Sequence, residues 1–557
     1  MNEQGNNKYM PYPAIKLTDR QWPGKVIAKA PLWCSVDLRD GNQALVTPMG
    51  IEEKMVMFDL LVTIGFKEIE VGFPAASEVE FTFVRKLIKE GRIPHDVTIQ
   101  VLTTAREEHI KRTFEAIKGI NKAIVHLYNS TSKAQREVVF NKSKEEIIAI
   151  AVGGARIMKQ LRHESGNGRI RFQYSPESFT GTEDDFALQI CHAVMDVWKP
   201  DPFNRMIINL PATVEMSTPN VYADRIEWFH SHVKNRKSTI ISVHTHNDRG
   251  SAVAAAEMAL MAGADRVEGA LFGNGERSGN MDIVTMALNL HTQGIETGLD
   301  FSDIDEVRKI YKECTAMEVH PRHPYAGDLV YTAFSGSHQD AINKGLQANE
   351  ISESERWDVP YLPIDPKDVG RNYEAVIRIN SQSGKGGVTY IMEREFGYRL
   401  PKKMQPHFGR IIKARTEEKG SELTAQEIGS VFHKSYTQEK GPYRLKSFES
   451  HNATGEVSHI SSIINYEGKD FTIKSKGKGP IDAFAKGMKE QFELTFTINI
   501  YEEHELSPGS EAKAIAYVGI TDQGGETLFG AAIDENIEMA TVKGLVCAVN
   551  RAFCSLS

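Results

Sequence analysis

Cysteine is scarce. Five stand in 557 residues, at positions 34, 191, 314, 547 and 554, with no C-x-x-C spacing. So sparse and odd a set excludes a disulfide framework and a cysteine zinc site. Basic residues are in deficit, 66 Lys and Arg against 74 Asp and Glu, for a net charge of −8. That balance argues against nucleic acid or an anionic membrane as the main partner. No apolar run approaches the ~20 residues of a membrane span. The first two dozen residues are polar and proline-containing, without a signal-peptide core. A cytoplasmic location is expected, where the sequons at Asn129 and Asn452 carry no meaning.

The chain does have length and a rhythm. At roughly 100–200 residues per domain it holds several units, or one large barrel plus extras. Short β-rich runs at residues 33–37, 68–71, 97–102, 123–127, 170–174, 206–210, 239–244 and 266–269 alternate with helical stretches such as 51–64 and 251–262. Strands alternating with helices in this number predict an α/β fold, a (β/α)8 TIM barrel, with a doubly wound open sheet as the alternative. The expected boundaries are an N-terminal extension at 1–30, the catalytic barrel at 31–325, helical linker subdomains at 326–427 and an α+β domain at 428–557. Residues 334–345 and 359–387 read as ordered loops. In the last domain the pattern predicts strands at 456–464, 469–474, 494–501 and 512–521 and helices at 480–489 and 535–552. These form two similar β-β-α units, with no catalytic cluster and so with a binding or regulatory role.

Catalytic groups of such barrels sit at the C-terminal ends of the strands. There the sequence places Asp37-Leu38-Arg39-Asp40-Gly41, Glu70, Glu177, Thr213, His244-Thr245-His246-Asn247-Asp248 and Gly273-Asn274-Gly275-Glu276-Arg277-Ser278-Gly279-Asn280. Histidines at i and i+2 of an extended segment share a side. With a strand-one aspartate they suit a divalent ion such as Zn²⁺, Mn²⁺ or Mg²⁺. The bland alternative is a pair of polar groups that only bind substrate. The spacing of Gly273, Gly275 and Gly279 is wrong for a dinucleotide loop and follows the last strand. Gly384-Lys385-Gly386-Gly387 lacks the Ser or Thr of a phosphate loop and reads as a turn. The basic run at 474–478 reads as a solvated turn.

These motifs, with Ser335-Gly336-Ser337-His338-Gln339-Asp340 and Pro360-Tyr361-Leu362-Pro363-Ile364-Asp365-Pro366, closely resemble the α-isopropylmalate synthase family from about residue 10 to the C-terminus. The resemblance implies condensation of acetyl-CoA with 3-methyl-2-oxobutanoate and water, giving 2-isopropylmalate and CoA. It further implies leucine inhibition at the C-terminal domain and a homodimer. By the family pattern Asp40, His244 and His246 would bind a divalent metal (Mg, Mn or Zn), with Asn280 nearby. Arg39 would neutralise charge on the oxo group, Thr213 would hold the substrate carboxylate, and Glu177 would face the thioester or substrate. His338 and Tyr361 are the candidate catalytic residues for taking a proton from the acetyl methyl, a weak acid that needs a positioned base. The family's Gly-x-Gly before the last helix is replaced by Phe529-Gly530-Ala531-Ala532, which puts leucine as effector in question. The alternatives are a homocitrate or citramalate synthase acting on another 2-oxo acid, a lyase with a similar metal site, and a metal-binding sensor without turnover.

Overall fold

The computed structural model describes residues 10–333, 335–351, 356–373, 385–419, 423–438, 441–452, 457–506 and 513–553. Phe334, Gly384, Ala453, Thr454 and Cys554, each singled out above or within a range given there, lie outside them. The chain divides into two compact units, residues 1–331 with 364–372, and residues 332–363 with 373–557.

The first unit is a closed barrel of parallel strands in the order β1 to β8. They are β1 (Leu32–Ser35), β2 (Glu68–Gly72), β3 (Thr98–Thr104), β4 (Ala123–Ser130), β5 (Ile170–Glu177), β6 (Met206–Ala212), β7 (Thr239–Thr245) and β8 (Arg266–Gly269). Between and after them run α1 (Ile51–Ile64), α2 (Glu78–Lys89), α3 (Glu107–Ala116), α4 (Lys144–Glu164), α5 (Asp184–Trp198), α6 (Pro219–His232), α7 (Ala252–Met261), α8 (Ile283–His291) and α9 (Ile304–Thr315). Capping chemistry sets several starts. Ser143 and Glu146 form a capping box on α4, and Ser77 caps α2.

Side chains alternate along each strand. One set, including Ile69, Val71, Ile99, Val101, Val125 and Phe172, is buried apolar core. Phe172 meets Trp198 of α5 with ring centroids 4.8 Å apart. Each such side chain contributes about 1.5–3 kcal/mol. The other set points into the barrel. Ile124, Ile207 and Ile240, near the N-terminal ends of their strands, form one apolar cluster. Above it the inward positions are polar: Glu68 and Glu70, Gln100, His126, Gln173, Asn209, Ser242, Arg266 and Glu268, all buried.

Strand one is shorter than expected. It ends at Ser35, and Asp37–Gly41 coils into a π-helical turn. Asp37 accepts from Ser35 Oγ (2.8 Å) and from the Leu271 backbone N–H (3.0 and 3.2 Å). Burial pushes its carboxyl up to about 7. The turn thereby reaches the loop after β8.

In the second unit, residues expected as a loop form α10 (Gly336–Ile351). Then come α11 (Lys385–Phe396), which begins inside the expected glycine-lysine turn, α12 (Gln405–Lys419) and α13 (Ala425–Phe432). The C-terminal part holds two sheets, β9 (Tyr443–Asn452), β10 (Ser458–Tyr466), β11 (Lys469–Gly477) with α14 (Pro480–Phe492), and β12 (Thr497–Glu505), β13 (Ala514–Thr521), β14 (Thr527–Asp534) with α15 (Ile537–Phe553). Each repeat therefore has three antiparallel strands, one more than the sequence pattern offered. The basic run at 474–478 belongs mostly to β11 rather than to a turn.

β13 is buried on both faces. Ile515 and Tyr517 pack with Phe408, Phe432 and Tyr436 from the helical stretch, while Val518 and Ile520 pack with Val542 and Leu545 of α15. Ala531 and Ala532 lie within β14, both buried. At Gly530 a Cβ would stand 2.2 Å from Gly544 O, so glycine is what lets α15 lie against this strand. Among the described residues no helix is long and apolar enough to cross a membrane.

Candidate active site

A cavity of about 270 Å³ opens at the C-terminal ends of the strands, lined by residues that include Arg39, Asp40, Glu177, Thr213, His244 and His246. Asp40 comes from the π-helical turn after β1, and the histidines from the end of β7 and just beyond it. One ligand atom from each of Asp40, His244 and His246 lies within 4.8 Å of the other two. His244 Nε2 and His246 Nε2 are 3.2 Å apart, and Asp40 Oδ2 is 3.5 and 3.8 Å from them. Asn280 pairs with His246 across an isolated bridge.

Charge at this corner is tightly arranged. Arg39 donates to Glu70 and, at 2.5 Å, to Asp40 Oδ1. Burial alone would raise the Asp40 carboxyl, but Arg39 and the two imidazoles outweigh it and hold it well below the usual range. Burial likewise opposes the charge on His244, but the nearby carboxylates of Asp40 and Glu268 carry that ring up to about 9. Burial and the neighbouring His244 push His246 down to about 4. One positive charge is welcome here and two protons are not.

A bound cation fits that pattern. Buried polar atoms ordinarily have partners. Yet Asp40 Oδ2 and Asn280 Oδ1 are buried without one. A carboxylate oxygen, two imidazole nitrogens and an amide oxygen suit Zn²⁺, Mn²⁺ or Mg²⁺. Asp37, the other acid of the same turn, is taken up by Ser35 and Leu271 and stands apart.

Glu177 ends β5 and accepts from Ser130 Oγ. Thr213 follows β6, and its Oγ1 accepts from Ser178 N–H at 2.9 Å. Arg277 donates to Thr213 O at 2.5 Å and is held on Asp248 at 2.7 and 3.1 Å. His338 and Tyr361 lie in the second unit, where their rings stack with centroids 4.1 Å apart and 24° between planes. Tyr361 is 62% exposed, so it does not simply pack between its prolines, and its backbone is left-handed, with φ at 65°. For a bulky residue that is a strained conformation of the sort found at functional sites.

Three family models match the chain: HMGL-like over residues 30–310, the α-isopropylmalate synthase post-catalytic domain over 328–393, and the LeuA allosteric (dimerisation) domain over 422–553. A 2-isopropylmalate synthase of Clostridium acetobutylicum is 53% identical over 98% of this chain and 99% of its own length. The chain belongs to the 2-isopropylmalate synthase family. Two further members, from Rhodospirillum rubrum and Pseudomonas putida GB-1, are 53% and 52% identical, each over at least 98% of both chains.

Beneath the site of this family member lies a network that motif reading did not find. Glu268 Oε2 lies 3.0 Å from His244 Nδ1 and accepts from Asn209 at 3.1 Å. Its Oε1 accepts from Arg266 (2.7 Å), Gln173 (2.7 Å) and Gln100 (3.2 Å). His126 bridges Glu70 (2.8 Å) and Ser175 Oγ (2.7 Å), and Glu70, His126 and Glu268 form a second buried group of metal-ligating side chains. The available signal was period two: polar residues recur at inward positions of strands whose outward positions are apolar. With Nδ1 engaged by Glu268, Nε2 of His244 is the nitrogen free to face a cation. Glu268→Gln is expected to weaken divalent-ion binding by about 10–100-fold. Competition with a chromogenic chelator measures it, and wild-type affinity in the variant would remove Glu268 from this role.

Proposed function

We propose that the chain condenses acetyl-CoA with 3-methyl-2-oxobutanoate and water to give 2-isopropylmalate and CoA, the first committed step of leucine biosynthesis. The observation that carries the site assignment is the convergence of Asp40, His244 and His246 beside Arg39, with Asp40 Oδ2 buried and unpartnered. A divalent ion held there by Asp40, His244, His246 and Asn280 would supply Lewis-acid polarisation of the keto group. Arg39, fixed by Glu70 and Asp40, offers a preorganised positive charge to the oxygen that becomes negative on attack. Thr213 would bind the acid's carboxylate. Leu102, Tyr128 and Pro211 line the same cavity and suit a branched aliphatic tail. Glu177 lines the same cavity and would face the incoming acetyl group. His338 would take the methyl proton, with Tyr361 stacked on it. Attack of the resulting carbanion on the keto carbon forms the new bond, and hydrolysis of the thioester then releases CoA.

In this reading residues 31–325 form the catalytic domain, 326–427 the linker and 428–557 a leucine-responsive domain of a cytoplasmic homodimer. Purified protein should release thiol from acetyl-CoA fastest with 3-methyl-2-oxobutanoate. A chelator should abolish release and added divalent ion restore it. Faster release with pyruvate or 2-oxoglutarate would make it a citramalate or homocitrate synthase. No release with any oxo acid would end the synthase reading.

A further inference from the structure

The N-terminal extension is tied to the barrel at an unusual place. α6 carries three buried charged residues, Asp224, Arg225 and Glu227. Residues 20–22 claim the two acids. Arg20 is bidentate on Asp224, with both bonds at 2.6 Å, and Trp22 Nε1 donates to the same carboxylate at 2.7 Å. The Gln21 N–H reaches Glu227 at 3.1 and 3.2 Å.

Arg225 is used differently. Its guanidinium donates to the Asp184 carboxylate (2.5 Å) and to the carbonyls of Phe179 (3.0 Å), Thr180 (3.0 Å) and Thr182 (2.7 Å). These belong to the turn that follows β5. Its last partner is the Tyr12 hydroxyl, which accepts from Arg225 and donates to Thr180 O at 2.5 Å. The turn starts at Ser178, whose backbone is left-handed, with φ at 60°. The Ser178 N–H meets Thr213 Oγ1, and the Glu177 carbonyl accepts from Thr131 N–H (3.1 Å) and Oγ1 (3.0 Å). Tyr12 and Arg225 thus hold the backbone of the turn at residues 179–182, and the adjoining Ser178 ties that turn through its N–H to the side chain of Thr213.

We propose that residues 12–22 are a positioning strap for the oxo-acid end of the active site, acting through Tyr12 and Arg225 on the turn at residues 178–182. The strap rests on the assignment of Thr213 to the substrate carboxylate. Charge-assisted bonds at Arg20 hold the strap on α6. Tyr12 delivers its effect, because its hydroxyl is the strap's contact with the turn. A buried guanidinium shared among several carbonyls fixes their mutual geometry only while each bond is kept.

The test uses the full chain with Tyr12→Phe, which leaves Arg20, Gln21 and Trp22 anchored. The expected result is a rise of roughly fivefold in KM for the oxo acid, the scale of one hydrogen bond, with KM for acetyl-CoA and the melting temperature unchanged. An unchanged oxo-acid KM overturns the strap, as does an equal change in both KM values accompanied by a lower melting temperature. Thr213→Val is measured alongside. If it raises the oxo-acid KM and Tyr12→Phe does not, the strap alone fails. If Thr213→Val leaves that KM unchanged, the carboxylate assignment beneath the strap fails.

Discussion

His338→Ala is expected to lower kcat by about 10²–10⁴-fold, the range for loss of a general acid–base group, while the content of bound divalent ion stays at the wild-type level. The two readouts separate the base from the metal site, because His338 is not among the groups around Asp40. His338 is exposed, on the first turn of a helix, and is stacked on a tyrosine with a left-handed backbone. A structural histidine would be buried or paired in the core, so its removal would show as lost stability. Here the loss should appear in turnover, read as CoA release under saturating substrates. Tyr361→Phe keeps the stacked ring and removes only the hydroxyl, so it distinguishes a proton-handling phenol from a supporting ring. Near-normal turnover in His338→Ala would show that another group takes the proton.

Arg266→Met should cost about 3–5 kcal/mol of stability at neutral pH, as expected when one partner of a buried ion pair is removed. Arg266 is fully buried, with Glu68 Oε2 at 2.6 Å, Glu268 Oε1 at 2.7 Å and Gln100 Oε1 at 2.9 Å. Burial would raise both carboxyls, but Arg266, with Arg171 beside Glu68 and His244 beside Glu268, outweighs it and holds Glu68 below and Glu268 well below the usual range. Groups depressed in this way contribute stability above their unfolded value of about 4.3 and lose it as pH falls through the folded value. Without Arg266, Glu68 keeps Arg171 and Glu268 keeps His244 as cationic partners, but each buried acid loses its strongest one and takes up a proton more readily. The deficit should therefore be larger at pH 8 than at pH 5. Denaturant midpoints at the two values measure it. Equal midpoints for variant and wild type at both would mean that the barrel interior tolerates the acids without Arg266.

Much of this architecture was legible in the residues. The barrel strands announced themselves as short β-rich runs between helices, and Asp40, His244 and His246 stood at strand ends. Thr213, Glu177 and Arg39 also line the cavity that the motifs pointed to. Three things were hidden, each for a physical reason. β9 escaped because its alternation breaks. Ser447 pairs with Ile463 and Leu445 with Ile464, so Lys446 is an extra residue. The apolar phase thus shifts from Tyr443 and Leu445 to Phe448. β14 escaped because close approach of α15 demands small residues at Gly530 and its neighbours, which weakens a strand's usual signature. The Glu268 network escaped because a polar residue inside an apolar run looks like noise until the strands close and set such residues side by side.

The alternation in the barrel strands has a consequence for how such proteins change over time. Each strand writes two messages in one stretch of chain. The outward letters hold the helices, and the inward letters near the cavity mouth, such as Leu102, Tyr128 and Pro211, meet the guest. Because the two sets face opposite ways, the second can be edited with little damage to the first. A new acid can be admitted by substitutions at a few inward positions while the scaffold, including the Arg266 layer below, stays as it is.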